Sequence, residues 1–210
     1  KQSEYQKTQA ELNQLKGQLN PHFLFNTLHG IYALALERDA RAPDAILQLS
    51  KLLDYSLTGP DQHFVNLQDD IDHLQDYIEL NQLRLSPKTT LEVDLVGNYT
   101  AHTVAPFLLL PFVENAFKYG VSTAVASRIV ISATVSQQRL HFTCRNRRFT
   151  GRSSGKGHAI GIENVRRRLM LLYPQRHELS LQQSKTHYEV TLTIDLAHEV
   201  VASATTIPVS

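Results

Sequence analysis

Pro111-Phe112-Val113-Glu114-Asn115-Ala116-Phe117-Lys118-Tyr119-Gly120 sets Glu114, Asn115 and Lys118 within about one turn of a helix whose other residues are mostly apolar. Three polar side chains crowded on an apolar helix need a reason. One is a magnesium–nucleotide complex, since an amide oxygen is a hard ligand for Mg2+ and an ammonium three residues on reaches phosphate oxygens. The other is an ordinary helix end, with Lys118 near the negative pole of the dipole and Gly120 as the stop. On this stretch alone both stay open.

Toward the C-terminus, residues 129–135 and 140–144 alternate apolar with polar as two strands of a hairpin, 162–173 read as a helix and 188–196 as a last strand. The only cysteine, Cys144, reads as a buried strand residue. Residues 147–158 form a polar loop with three glycines and two serines, the composition of a lid or binding loop. Its end, Gly155-Lys156-Gly157, runs through Ala159-Ile160-Gly161-Ile162-Glu163-Asn164 into the helix. Glycines there let backbone approach an anion, and the free N–H groups of a helix start favour phosphate. Arg166, Arg167 and Arg168 are consecutive and cannot share one face, which favours solvated and partner-facing charges over the alternative of phosphate ligands. The tail from residue 197 reads as a frayed end.

Toward the N-terminus, Leu91-Glu92-Val93-Asp94-Leu95-Val96 alternates as a half-buried strand, and residues 106–120 form the helix quoted first. Before Ser86-Pro87 the chain reads as helical, over about 21–37, 43–57 and 67–85, with a break at Gly59-Pro60-Asp61. Residues 1–19 carry Tyr5, Leu12 and Leu19 seven apart, either a short dimer seam or a lone amphipathic helix. The chain starts inside that helix without methionine and reads as a fragment, with a membrane-embedded sensor expected upstream.

Within Leu19-Asn20-Pro21-His22-Phe23-Leu24-Phe25-Asn26-Thr27-Leu28, Asn20 can cap a helix and Pro21 suits its first position. At roughly 100° per residue, Leu24, Leu28, Ile31 and Ala35 fall on one face and His22, Asn26 and His29 on the other. His22 is thereby expected at the surface of a packed helix, as a phosphate acceptor or as a plain polar residue. A chain of 210 residues with 42% hydrophobic content can bury a sizeable core. Its 21 Lys plus Arg balance 20 Asp plus Glu, so a net charge of +1 offers no reason to bind nucleic acid. No apolar run approaches the roughly 18 residues that span a bilayer.

Taken in order, these segments resemble the core of the LytS/YehU-like sensor histidine kinases of bacterial two-component systems. Residues 18–26 are similar to the phosphoacceptor segment of that group, 111–120 to its N box and 161–169 to its glycine box; residues 77–80 with Arg84 add weaker support. The resemblance implies an α+β chain: a helical dimerisation and phosphoacceptor region over 1–85, a GHKL-type α/β sandwich with a mixed sheet and helices on one face over 86–197, and a tail over 198–210. It implies that His22 receives the γ-phosphoryl group of ATP, that Asn115 holds Mg2+ and that Lys118 and Tyr119 border the phosphates. Glu114, Gly120, Ile162 and Asn164 fall within the same boxes, and Gly155, Gly157 and Gly161 belong to the ATP lid.

It also implies a homodimer, a response-regulator partner of the kind that carries a LytTR-type DNA-binding output domain, no direct nucleic-acid contact, and the cytoplasmic portion of a bacterial inner-membrane protein. In two respects the sequence departs from the fold's pattern, the lesser being Ala159 where a glycine is expected before Ile160-Gly161. Where an aspartate usually accepts the adenine amino group, the strand ends Cys144-Arg145-Asn146-Arg147-Arg148. Asn146 is the substitute, a neutral acceptor weaker by about one kcal/mol or more. A catalytically weak scaffold is therefore one rival reading, and an ATP hydrolase another, though Pro111 stands where such relatives carry their water-activating glutamate.

Overall fold

The computed structural model of the chain describes residues 21–57, 64–149 and 156–197. The expected helix over 1–19, the break at Gly59-Pro60-Asp61, Gly155 and the tail beyond 197 lie outside them. Two helices, α1 (Pro21–Leu36) and α2 (Ala42–Leu57), are followed by the short strand β1 (Val65–Asn66) and helix α3 (Leu67–Gln82). Asn66 caps α3, its side chain accepting from the Gln68 N–H at 2.8 Å. The expected apolar spacing holds: Leu67, Ile71, Leu74 and Ile78 are all buried. The helix stops at Gln82 rather than 85, and the chain leaves it through tighter turns in which the Arg84 N–H donates to the Asn81 carbonyl and the Leu85 N–H to the Gln82 carbonyl, each at 3.1 Å.

The second half consists of β2 (Thr89–Asp94), β3 (Thr103–Val104), α4 (Leu110–Tyr119), β4 (Ser127–Ser136), β5 (Arg139–Arg147), α5 (Lys156–Leu172), β6 (His177–Gln183) and β7 (His187–Asp195). The sheet order is β2-β4-β5-β7-β6, with β2 parallel to β4 and every other pair antiparallel, the mixed sheet that the resemblance implies. Ile129, Ile131 and Ala133 of β4, Leu140, Phe142 and Cys144 of β5, and Val190, Leu192 and Ile194 of β7 are buried at every second position. Phe112, Val113 and Ala116 of α4 and Val165 and Leu169 of α5 complete that layer, each large side chain contributing roughly 1.5–3 kcal/mol by leaving water. Gln137 and Gln138, with φ of 49° and 61°, join β4 to β5 in a two-residue turn of the left-handed kind that matches strand twist.

Two further element boundaries and one whole strand depart from expectation for identifiable reasons. Helix α4 begins at Leu110 and not at Pro106 because Phe107 sits at φ 56°, a left-handed conformation that cannot continue a helix. Strand β6 was not foreseen, since His177–Gln183 is a polar edge strand without clean alternation. Helix α5 starts at Lys156, so Gly157 and Gly161 lie in its first turns rather than in the loop. The pair β1 and β3, Val65 opposite Val104, with the Leu67 N–H donating to the His102 carbonyl at 2.9 Å, ties the start of α3 to the approach of α4.

Candidate functional site

Helix α1 carries apolar residues on two sides, and the side that packs is not the expected one. Phe23, Thr27, Ile31 and Leu34 are buried, while Leu28 is 46% exposed, Ala35 is exposed and Leu24 is half-buried. The expected stripe of Leu24, Leu28, Ile31 and Ala35 is thus corrected by a rotation of the helix. The reason is Phe23, which stacks on Tyr77 of α3 with ring centroids 4.5 Å apart and turns its own face inward. A second strip of Phe25, Leu28, Tyr32 and Leu36 is left at the surface.

His22 is exposed, as expected, and its neighbour one turn on is Asn26, whose amide nitrogen lies 3.0 Å from Nδ1 and 3.1 Å from Nε2. Beside this pair is a cavity of about 400 Å³ that draws on three elements: His22, Phe23 and Asn26 of α1, Tyr77 and Asn81 of α3 with Arg84 just beyond it, and Glu114, Phe117 and Lys118 of α4. The histidine and two of the three polar residues of the opening stretch therefore share one hollow. Burial pushes the Glu114 carboxyl above its usual range, against the pull of Lys118 one turn away. Asn81 is buried, its amide nitrogen donating to the Tyr77 carbonyl at 2.8 Å and its oxygen accepting from Arg84 at 2.9 Å.

Asn115 follows Glu114 by one residue and so projects about 100° away around α4. It is half-buried, as is Tyr119, whose ring lies under the Lys118 ammonium at 5.2 Å. At the end of the helix, Gly120 packs against Asn146 of β5 so closely that a Cβ on the glycine would come 2.6 Å from the Asn146 Cβ. Asn146 is buried and its amide nitrogen donates to the Arg147 carbonyl at 2.9 Å, which leaves the oxygen as the opposite end. Helix α4 is thus a wall between two places: the His22 cavity on one side, and Asn115, Tyr119, Gly120 and Asn146 toward the other, with Lys118 at the boundary.

The glycine-box residues divide. Ile162 is buried in the core, Asn164 is exposed, and a Cβ at Gly161 would meet nothing within 4 Å, so no packing demands a glycine there. Arg166 faces Glu163 at 3.9 Å and Arg167 is exposed, but Arg168 is half-buried and donates to the Pro106 carbonyl at 2.6 Å, so it is a structural residue rather than a solvated charge.

Several residues of this region were not foreseen. Asp70 of α3 accepts from the Phe107 N–H at 2.8 Å, and the Tyr173 hydroxyl accepts from the Ala105 N–H at 2.8 Å. The strained turn ahead of α4 is therefore held by α3 and by the far end of α5 together. Burial raises the Asp70 carboxyl to about 6 despite that N–H and the nearby Arg168. His73, between the rings of Tyr55 and Phe107, is lowered to about 4 by burial, and neither ring nitrogen has a hydrogen-bond partner. The spacing of Tyr77, Asn81 and Arg84, four and three apart, was the signal that could have put them on one face with the phosphoacceptor segment.

His22 thus lies on a helical region packed beside a mixed five-stranded sheet. The family model for histidine kinases matches residues 10–89. The chain is 25% identical over 191 residues to the sensor protein LytS of Oceanobacillus iheyensis, covering 84% of this chain and 33% of that one. It is 33% identical over 134 residues to the sensor histidine kinase BtsS of Escherichia coli, covering 63% and 24%. The histidine kinase domain of a blue-light activated histidine kinase from Erythrobacter litoralis matches with a TM-score of 0.51 over 92% of this chain and 94% of that one, at 13% identity, a likeness of fold. The chain spans a third or less of the length of these curated relatives. Over most of its own length the chain is similar to LytS-named sensor histidine kinases.

Proposed function

We propose that this chain is the catalytic core of a sensor histidine kinase that transfers the γ-phosphoryl group of ATP to His22 and then to an aspartate of a response regulator. The observation that carries this reading is the shared cavity: the ring of His22 and the side chains of Glu114 and Lys118, from opposite ends of the chain's helical and α/β parts, line one hollow. Phosphoryl transfer requires positioning and charge neutralisation more than covalent chemistry from the protein. Lys118, which lines the cavity and lies over the Tyr119 ring, would neutralise charge on the γ-phosphate as it meets His22.

A neutral imidazole offers one lone pair, and the Asn26 amide nitrogen lies within reach of it. Attack therefore needs Asn26 to swing aside, or its amide to turn so that its oxygen accepts from the ring N–H instead. Glu114, held less acidic by burial, is placed to take the proton that the ring releases. For Mg2+ the donor set is thin: Asn115 offers one amide oxygen, and among the described residues no group of three or more His, Cys, Asp or Glu side chains could hold a metal alone. That suits an ion that arrives with the nucleotide's phosphates and neutralises their charge. Asn146 would accept from the adenine amino group, and Gly157 and Gly161 lower the cost of uncoiling the start of α5 around phosphates by about 1 kcal/mol each.

The exposed strip of α1, with Ile46 and Leu47 of α2, fits a homodimer. Its relatives' names as sensors fit a cytoplasmic portion of an inner-membrane protein, and among the described residues no helix is long and apolar enough to cross a membrane. A response regulator with a LytTR-type output belongs to the same proposal. The test is incubation with γ-labelled ATP and Mg2+ beside His22→Gln and Asn115→Asp chains. Acid-labile label that disappears in both variants is expected. ATP binding without label on His22 would point to a hydrolase, and no ATP binding at all to a scaffold.

A further inference from the structure

Arg84 stands just past the end of α3 and is, among the described residues, the one guanidinium that lines the His22 cavity. Two contacts fix where it sits. Its stem passes Gly30 of α1, where an added Cβ would come 3.3 Å from the Arg84 Cγ, and its head turns back to donate to Asn81 at 2.9 Å. Phe23 lies against Tyr77 and Gly30 against Arg84, so α1 and α3 run alongside in the same sense. Asn81 lines the same hollow as His22 and Asn26. The guanidinium is thus brought back along the helix toward the histidine.

The head's partner is a neutral amide, and among the described residues no carboxylate lies within ion-pair distance of Arg84. Asn81 is itself oriented by the Tyr77 carbonyl, so the donor fork is pre-set with N–H groups left over. A phosphoryl group on His22 carries up to two negative charges and three acceptor oxygens. Arg84, just past α3, and Lys118 of α4 are, among the described residues, the two cations of the cavity that would receive it.

We propose that Arg84 is a further catalytic residue, contacting the phosphoryl group from the acceptor side as it passes to His22, opposite Lys118. This rests on the kinase reading. A bond forms between a His22 ring nitrogen and the γ-phosphorus while the bond from that phosphorus to the β–γ bridging oxygen breaks. ADP leaves with that oxygen, and the ring N–H proton passes to the Glu114 carboxylate or to water. Arg84 neutralises the equatorial oxygens throughout, which an asparagine pair cannot do.

The test uses the whole chain with Arg84→Gln, Arg84→Lys and His22→Gln. ATP–Mg2+ affinity is measured by calorimetry and the initial rate of acid-labile labelling by quenched flow. In Arg84→Gln the rate is expected to fall about tenfold or more with ATP affinity unchanged, and Arg84→Lys to recover part of it. A second arm uses phosphoramidate, which phosphorylates histidine with loss of ammonia and needs no nucleotide site. There the phosphorylated His22 of the unaltered chain is expected to hydrolyse more slowly than that of Arg84→Gln. A labelling rate within twofold of the unaltered chain, or equal lifetimes of the two phosphohistidines, overturns the proposal. If ATP labels nothing while the lifetimes differ as stated, the kinase reading fails and the Arg84 contact stands.

Discussion

Asp70 and His73, three residues apart on α3, are ionisable side chains in a dry place, and burial acts on them in opposite directions. The Asp70 carboxyl titrates near 6 in the fold against about 3.8 in the open chain, so the fold favours its protonated form. Its contribution is complete below about 3.8 and is lost as pH rises through 6. The His73 imidazole titrates near 4 against about 6.5, so the fold favours its neutral form. That contribution is complete above about 6.5 and is lost as pH falls through 4. The two slopes oppose each other across one window and leave the unaltered chain with little net slope from this pair. Asp70→Asn keeps an oxygen for the Phe107 N–H, and its stability relative to the unaltered chain is expected to rise between pH 4 and 6, by about 3 kcal/mol in all. His73→Phe keeps the ring stack with Tyr55 and Phe107 and removes two unpartnered nitrogens. Its relative stability is expected to rise as pH falls from 6.5 to 4, and to exceed that of the unaltered chain by about 1 kcal/mol even at neutral pH. Urea unfolding at four pH values reads both; curves that stay parallel to the unaltered chain would refute the assignment.

Helices α4 and α5 each carry a glycine of the proposed nucleotide site, and their surroundings predict opposite responses to one added methyl. At Gly120 the new Cβ would meet the Ala116 carbonyl oxygen at 2.5 Å and the Asn146 Cβ at 2.6 Å, neither of which can move freely. Gly120→Ala is expected to cost about 1–3 kcal/mol and, by displacing Asn146, to weaken ATP binding as well. At Gly161 the methyl meets nothing, and alanine is the better helix former, so Gly161→Ala is expected to add up to about 1 kcal/mol. If the start of α5 must uncoil for phosphate, the same change weakens ATP binding while raising the melting temperature. Thermal melts with an ATP titration separate the two effects, and a Gly161→Ala chain that binds ATP unchanged would remove the lid role. These elements also mark what sequence can disclose. Strands β4, β5 and β7 and the buried stripe of α3 were legible because one-sided burial writes a period into the residues. The face of α1 was not, because it has two apolar strips and only the Phe23–Tyr77 stack chooses between them. Nor was the start of α4, since a left-handed Phe107 held by a side chain from α3 is a tertiary fact with no local signature.

At the scale of the whole molecule, two features bear on how copies of this chain would work together. Phe25, Tyr32 and Leu36 are each more than 60% exposed on α1, along with Leu28, a strip that a second copy can cover. Tyr32→Glu places a charge in that strip without touching the side that packs on α3. It is expected to shift the chain toward monomer by sedimentation at equal concentration, with its melting temperature within a few degrees of the unaltered chain. The cavity makes a separate demand: His22, Arg84, Glu114 and Lys118 that line it all belong to one chain. A γ-phosphate presented to this hollow while still bonded to ADP faces the histidine of its own subunit. Transfer within a chain is therefore expected even in a dimer. Chains carrying His22→Gln and Asn115→Ala, produced together with different tags and purified through both, give heterodimers in which one subunit binds ATP and the other offers the histidine. Acid-labile label no greater than in either variant alone is the expected result. Label on the Asn115→Ala subunit would mean that the phosphoryl group crosses between subunits, and that the cavity seen within one chain is not the one through which it travels.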